Sequence, residues 1–408
     1  MLRIAHLGTF DVNNYGDLLF PMILRTALEA RLKAFELAFY SPKASAFTVD
    51  RSYRCLPIAK LRSQTDVDAI VIGGGQLLAS DSGGLLNVYR LVVPFSSLPS
   101  HLTTIVKKCY RVWDHIRGFN ALSDNERWRA TFGYECVAPF IFERETIPPQ
   151  CRVIYNAIGV YDLNGFMPSE QCQRVRAAFE EADYISVRDR YSEKALRDIG
   201  VQGDIAVVPD TALLLTRCLD AGELRKTAQL AFVRAGLDPS RRLLCVQATA
   251  PQIHQQSFAD AIAKFADEHS IQVALLPTRS WAEDARRLAE FARYYPRRFR
   301  LLGKRPSPAT IAAVIAHSTY VVTSGLHSLV TAVAFGKPCC AVPSQDIKIA
   351  GFLEEVGLSD IMATAWETVP NRIQELGELS ERRVREVAEA GRERVNHHFD
   401  TIGRILSS

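Results

Sequence analysis

Four short stretches of this 408-residue chain place polar or glycine residues where a buried run would otherwise continue. In one, Ser324, Gly325, Leu326 and His327 end an apolar run and open a helical pattern. Imidazole exchanges a proton near neutral pH, so His327 is a candidate general acid; the plainer alternative is a hydrogen-bonded structural histidine. Ser324 lies beside it, and Lys348, at the next turn from strand to helix, offers a cation. A second stretch is Asn13-Asn14-Tyr15-Gly16-Asp17. Gly16 permits a tight turn and Asp17 can cap the helix that follows. In the chemical reading, Asn14 and Asp17 bind the hydroxyls of a polyol and Asp17 accepts a hydroxyl proton.

The third stretch, residues 73–78, begins with three glycines, of which Gly74 and Gly75 can present backbone N–H groups to a closely approaching ligand. It matches neither the dinucleotide fingerprint nor a phosphate-binding P-loop, and a plain tight turn is the alternative. In the fourth, Arg188 follows a strand pattern and Ser192 reads as the N-cap of the next helix. A guanidinium forks onto two oxygens and a helix N-terminus adds positive potential, which suits a phosphate or carboxylate. An ion pair with Asp189 is the structural alternative. Asp210, behind a proline, is a candidate substrate ligand or a turn residue. No HExxH, GxSxG, kinase or P-loop motif is present, so neither a metal nor a cofactor is expected. His397 and His398 read as an incidental exposed pair near the end.

These residues sit on an alternating framework. In the second half, apolar runs at 242–249, 271–278, 299–303, 319–324 and 337–342 alternate with helical patterns at 257–270, 283–295, 307–318, 326–336 and 348–357. Ser307 and Pro308 form a cap and first helical position. Continuous apolar strands alternating with helices predict a parallel sheet covered on both faces. The first half repeats the pattern with strands at 2–8, 68–75, 152–160, 183–189 and 204–210. Helical patterns there cover 17–32, 175–182 and 191–200. Between about 80 and 150 the alternation fails, and basic Lys107, Lys108, Arg111, Arg117, Arg127 and Arg129 mix with Tyr110, Trp113, Phe119 and Trp128. That mixture suits an insertion that meets an acceptor or a lipid surface, or a cap whose charges are simply solvated. Residues 216–241 read as a helical connector and 378–399 as a long charged helix. The expected fold is α/β, two Rossmann-like doubly wound domains facing a cleft: residues 1–220 on the acceptor side and 221–408 on the donor side, with ligands at the strand C-terminal ends.

Bulk properties narrow the function. Composition is that of a globular protein, 48% hydrophobic and 23% charged. A net charge of +4 fits a small anion or a membrane surface and is too weak to argue for nucleic acid. No apolar run reaches the ~18 residues of a membrane span, and the start lacks a signal-peptide pattern. Nine scattered cysteines without a CxxC pair read as free thiols in a reducing cytoplasm. A cytoplasmic protein, peripheral at most at the membrane's inner face, is expected.

Taken in order, the fragments at 13–17, 70–78, 186–200, 208–215 and 317–358 resemble the polysaccharide pyruvyl transferase family, over most of the chain and with 80–150 outside the likeness. The resemblance implies a GT-B-like fold and transfer of a pyruvyl group from phosphoenolpyruvate to a sugar of a cell-surface polysaccharide or its lipid-linked precursor, as a ketal. It matches His327 to the family's proposed general acid and Arg188 to an arginine that grips phosphoenolpyruvate. Many members carry arginine two residues before this histidine, where this chain has Gly325; Arg279, Lys304 or Lys348 are the candidate replacements. The alternatives are a transferase of the same fold with a nucleotide-sugar donor, and a non-catalytic scaffold in polysaccharide assembly.

Overall fold

A computed structural model of the chain describes residues 1–44, 54–61, 64–78, 86, 89–90, 108–109, 115, 121–138, 140–248, 256–279, 284–343 and 347–408. Contacts divide it into two compact units. The first comprises Met1–Asn13, Ala27–Val208 and His398–Ser408; the second comprises Asn14–Thr26 and Pro209–His397. Reading in sequence order gives one passage between halves, at 220/221. The chain instead passes at 13/14, 26/27, 208/209 and 397/398, so the stretch from Asn14 packs in the second unit although it follows the first unit's first strand.

The first unit is a seven-stranded sheet of β1 (Leu2–Leu7), β2 (Phe35–Ser41), β3 (Cys55–Pro57), β4 (Ala69–Leu78), β5 (Arg152–Val160), β6 (Tyr184–Val187) and β7 (Ala206–Val207). Its order is β3-β2-β1-β4-β5-β6-β7, with every pairing parallel. Ile70, Val71 and Ile72 of β4 and Ile154 of β5 are buried, because helices cover both faces of such a sheet. Two strands, β2 and β3, are absent from the sequence expectation. Only the last three residues of β2 are fully buried, so it lacks the continuous apolar run that marks the central strands. The helix expected from residue 17 starts at Phe20, because 16–19 form turns closed by Leu18 N–H to Asn14 O and Leu19 N–H to Gly16 O.

Part of the 80–150 segment is ordered structure. Ser123 and Glu126 make a reciprocal capping box on the helix Asp124–Phe132, and Gly133 ends it in the left-handed conformation. Trp128 is fully buried against Phe132 and Tyr134, so it serves the core and not a surface. Lys107, Tyr110, Arg111, Trp113, Arg117 and Phe119 lie outside the described residues. His398 is also corrected: it is 2% exposed, while His397 is exposed. Its Nε2 donates to Asn156 Oδ1 at 2.8 Å and its Nδ1 accepts from Tyr184 at 3.1 Å, within the first unit. The helix Glu381–Ser407 brings it there, its last turns burying an apolar face.

The second unit is a five-stranded parallel sheet of β8 (Leu243–Gln247), β9 (Gln272–Leu275), β10 (Phe299–Leu301), β11 (Tyr320–Thr323) and β12 (Cys339–Ala341). Its order is β10-β9-β8-β11-β12. Phe258, Phe265, Phe291, Val246 and Val322 centre the core, each such burial being worth about 1.5–3 kcal/mol. Ser307 Oγ accepts from Thr310 N–H and Pro308 opens the helix Pro308–Ala316, as the sequence predicts. The strand order reverses between β8 and β11, whose last residues Gln247 and Thr323 are paired. Such a switch point leaves a crevice at the strand C-terminal ends. None of the nine cysteines is in a disulfide, and among the described residues no helix is long and apolar enough to cross a membrane.

Candidate active site

The chain leaves the switch point of the second unit through Ser324 and Gly325 into the helix Leu326–Ala334, with His327 in its first turn. The imidazole is 15% exposed and enclosed on three sides by residues of this unit. Its Nε2 lies 3.6 Å from Asp210 Oδ2. Phe20 meets the ring edge-on, with centroids 5.4 Å apart. Gly16 lies over the ring face at Nδ1, where a Cβ would come within 1.8 Å of that nitrogen. Asp210 is 2% exposed and caps the short helical turn Thr211–Leu214: its Oδ1 accepts from Ala212 N–H at 2.9 Å. That bond fixes the carboxylate so that the second oxygen points at the imidazole.

The stretch 14–17 is bolted to the His327 helix. Tyr15 is buried, its hydroxyl 2.8 Å from Thr331 Oγ1, and Thr331 Oγ1 donates to His327 O at 2.6 Å. Thr331 spends its proton on that carbonyl, so Tyr15 is the donor of the first bond. Burial pushes the Tyr15 phenol well above its ordinary range. Asn14 Nδ2 donates to Asp17 Oδ2 at 2.8 Å, and Asn14 bridges backbone to backbone with Arg279. Asn14, Asp17, Arg279 and His327 therefore belong to one locality. Sequence reasoning assigned Gly16 to a turn and passed over Tyr15 and Phe20. The signal for Tyr15 was an aromatic inside a turn motif; nothing local marks Phe20.

Gly325 has an ordinary extended backbone, φ −112° and ψ 126°, so conformation does not require glycine there. The neighbour does: a Cβ would fall 2.6 Å from Gln247 Oε1. Gln247 is 1% exposed, accepts from Thr323 Oγ1 at 2.6 Å and donates to Thr278 Oγ1 at 3.3 Å. A buried amide thus fills the room that a side chain at 325 needs. Ser324 N–H donates to Gln247 O at 2.9 Å. Arg279 is tied to the buried Asp284, which accepts from Arg279 N–H at 3.1 Å and lies 3.4 Å from its guanidinium. Lys348 is half-buried in the first turn of the helix Ile347–Val356, and Lys304 is exposed.

In the first unit, Arg188 directly follows β6 and is 2% exposed. Its Nε is 3.4 Å from Asp189 Oδ2, and an Nη donates to the Tyr161 hydroxyl at 3.2 Å. Gly159 leaves it room, since a Cβ there would meet the guanidinium at 2.6 Å. The N-cap of the helix Arg190–Asp198 is Asp189, whose Oδ1 accepts from Ser192 N–H at 2.7 Å; Ser192 Oγ instead accepts from Val160 N–H. The expected Ser192 cap is corrected accordingly. The glycines of 73–75 lie inside β4, paired with β5, and not in a loop beyond it. Gly73 has φ +150° and its missing Cβ would fall 2.2 Å from Asn156 O. Its carbonyl accepts from Nε2 of the buried His6 at 3.0 Å.

Among the described residues no group of three or more His, Cys, Asp or Glu side chains is placed to hold a metal ion. A comparison with curated protein sequences gave no match. Solved structures share the fold. A UDP-GlcNAc 2-epimerase from Methanocaldococcus jannaschii superposes with TM-score 0.57 at 11% identity, over 100% of this chain and 99% of its own. The Neisseria meningitidis UDP-GlcNAc 2-epimerase, solved bound to UDP-GlcNAc, gives 0.54 at 10% identity over 100% of both chains. The fold is thus GT-B-like, an α/β chain of two parallel-sheet units. The polysaccharide pyruvyl transferase family matches residues 122–346, which is 225 of the 408. That span takes in Arg188, Asp210 and His327. It starts inside 80–150, so part of the segment expected to lie outside the likeness is matched. The chain is a transferase and belongs to the polysaccharide pyruvyl transferase family.

Proposed function

We propose that the protein transfers a pyruvyl group from phosphoenolpyruvate to two hydroxyls of a sugar, in a cell-surface polysaccharide or its lipid-linked precursor, and closes a ketal. The observation that carries this reading is the enclosed imidazole of His327 at the strand switch point, faced by a buried carboxylate. His327 protonates the methylene carbon of phosphoenolpyruvate, which makes C2 electrophilic. A sugar hydroxyl adds there and gives up its proton to a base, for which Asp17, oriented by Asn14, is the candidate. Phosphate leaves, a second hydroxyl closes on the cation and loses its proton, and the products are the ketal and inorganic phosphate. Phosphoenolpyruvate is a small trianion and needs cations and helix N-termini. Arg188 is proposed as the chief cation, with Lys348 or Arg279 as a second and Ser324, Gly74 and Gly75 as further ligand contacts. The reaction is placed in the cytoplasm, with a lipid-linked acceptor bringing the enzyme to the inner face of the membrane.

The test pairs binding with product. Phosphoenolpyruvate should raise the melting temperature, and a panel of nucleotide sugars should not. A strain deleted for the gene should lose pyruvylated surface glycan and regain it with the wild-type chain but not with His327→Asn. The variant should lower turnover about 100-fold or more, the usual scale of a general acid, while still binding phosphoenolpyruvate. Stabilisation by nucleotide sugars alone would overturn the proposal in favour of a second reading, a nucleotide-sugar transferase. That reading draws on Gly325, where Gln247 excludes the arginine many family members carry.

A further inference from the structure

We infer that Asp210 is a positioning residue for His327: it holds Nε2–H, fixes the ring's tautomer and leaves Nδ1 as the nitrogen that carries the transferred proton. The inference rests on His327 being the acid, as proposed above, and adds which nitrogen acts and what orients it. Three observations meet. Asp210 Oδ2 and His327 Nε2 face each other at 3.6 Å, an ion-pair distance, and both atoms are buried. The carboxylate cannot swing away easily, because Oδ1 is engaged by Ala212 N–H at 2.9 Å and the side chain is 2% exposed. Gly16 packs over the ring face at Nδ1, where a Cβ would lie 1.8 Å from that nitrogen, so the ring is held from that side as well.

The chemistry follows from that arrangement. The first turn of a helix carries positive potential, which works against a cationic ring, and the Asp210 carboxylate supplies the opposing charge. When the imidazolium gives its Nδ1 proton to the substrate carbon, the product is the neutral Nε2–H tautomer, already held by Asp210. Asp210 thus acts through the histidine and need not touch substrate, which differs from its expected role as a ligand.

The cap bond makes the test unusually directional. In Asp210→Asn the side-chain oxygen is retained by Ala212 N–H, so the amide NH2 takes the place of Oδ2 and donates to His327 Nε2. The ring is then driven to the Nδ1–H tautomer, with Nε2 as acceptor, while fold and cap survive. Histidine-labelled protein at about pH 8, where imidazoles are neutral, reports the tautomer through long-range proton–nitrogen correlations. His327 is identified by the signal lost in His327→Asn. The expected result is Nε2–H in the wild type, Nδ1–H in Asp210→Asn, phosphoenolpyruvate affinity within about twofold, and surface pyruvylation in the deletion strain at background. A wrong tautomer at a comparable site costs about 10⁴-fold in turnover. Overturning results are an unchanged tautomer in Asp210→Asn, or wild-type pyruvylation by that variant. Should His327→Asn itself restore pyruvylation, the acid assignment fails, yet the tautomer measurement still decides whether Asp210 holds the ring.

Discussion

Replacing Gly16 with alanine should damage the enzyme through His327 alone. The backbone at Gly16 is not left-handed, so alanine meets no conformational strain there. Its methyl would instead lie 1.8 Å from Nδ1 and 2.2 Å from Cγ of the imidazole, about 1.6 Å short of ordinary contact. The ring cannot yield cheaply, with Phe20 on its edge and Asp210 beyond Nε2. Nor can the loop, which is anchored by Tyr15 to Thr331 and by Tyr15 N–H to Thr278 O at 3.4 Å. Overpacking of this kind costs about 1–3 kcal/mol. For a unit of this size that is a loss of about 2–4 °C in melting temperature per kcal/mol. A displacement of about 1 Å in a catalytic group costs on the order of 100-fold in turnover. The decisive assay is a double-mutant cycle on melting temperature. In a His327→Ala background the methyl has room, so the Gly16→Ala penalty should shrink by about 1 kcal/mol or more. An identical penalty in both backgrounds would refute the reasoning, since the clash would then lie elsewhere.

Other consequences concern the first unit and its pH response. Burial pushes His6 and His398 down to about 3 from 6.5, so both are neutral when folded. Each contributes stability that is complete above pH 6.5 and drains away as pH falls toward 3, at about 1.4 kcal/mol per pH unit. Asp11, raised by burial to about 6 from 3.8, has the opposite sign and gains stability as pH falls through that window. Two losses against one gain leave a net fall of about 1.4 kcal/mol per unit between pH 6 and 4. His398→Gln, which can still donate to Asn156, should cancel most of that slope in urea unfolding followed by first-unit fluorescence; an unchanged slope would mean His398 is protonated in the folded state. Gly73→Ala, at φ +150° and 2.2 Å from Asn156 O, should destabilise the first unit by about 2–4 kcal/mol by denaturant titration, far more than the same change at Gly203, where nothing lies within 4 Å. Arg188→Ala should weaken phosphoenolpyruvate binding measured by calorimetry and also destabilise the first unit by about 3 kcal/mol, because it strands the buried Asp189.

How much of this was legible depends on whether a signal is local. The second unit's strands were readable because each is a short, fully buried apolar run bounded by a cap or a glycine. Ser307-Pro308 before Pro308–Ala316 is the plainest case. β2 was not readable, because Phe35 to Leu37 are only half-buried or exposed and the apolar run is broken by Glu36. Gly73 to Gly75 close the run that reads as a strand at 68–75, and they also read as a tight turn that presents N–H groups to a ligand. Within β4, β5 approaches so closely at Asn156 that no Cβ fits at Gly73. His398 was read as exposed because its helix is rich in charge. One helix face carries that charge while Phe399, Ile402 and Leu406 bury the other.

The site shows the same limit more sharply. His327, Arg188, Asp17 and Asp210 stood out because strand ends that carry titratable residues are readable from pattern alone. Their roles depend on partners far away in the chain: Tyr15 bonds Thr331 across 316 positions, and Gly16 makes room for a ring 311 positions beyond it. A glycine whose backbone angles would suit any residue points to such a partner, because only a neighbour can then demand the missing side chain. By that criterion Gly377 and Gly391 of the second unit point to His269 and Leu213, and Gly16 and Gly325 are the two informative glycines beside the site. One is answered by the imidazole and the other by Gln247. The second answer bears on the donor. With Gln247 retained, an arginine at 325 has nowhere to go. A chain that binds phosphoenolpyruvate must then draw its second cation from another position, and a Gln247→Ala, Gly325→Arg double substitution should be tolerated where Gly325→Arg alone is not.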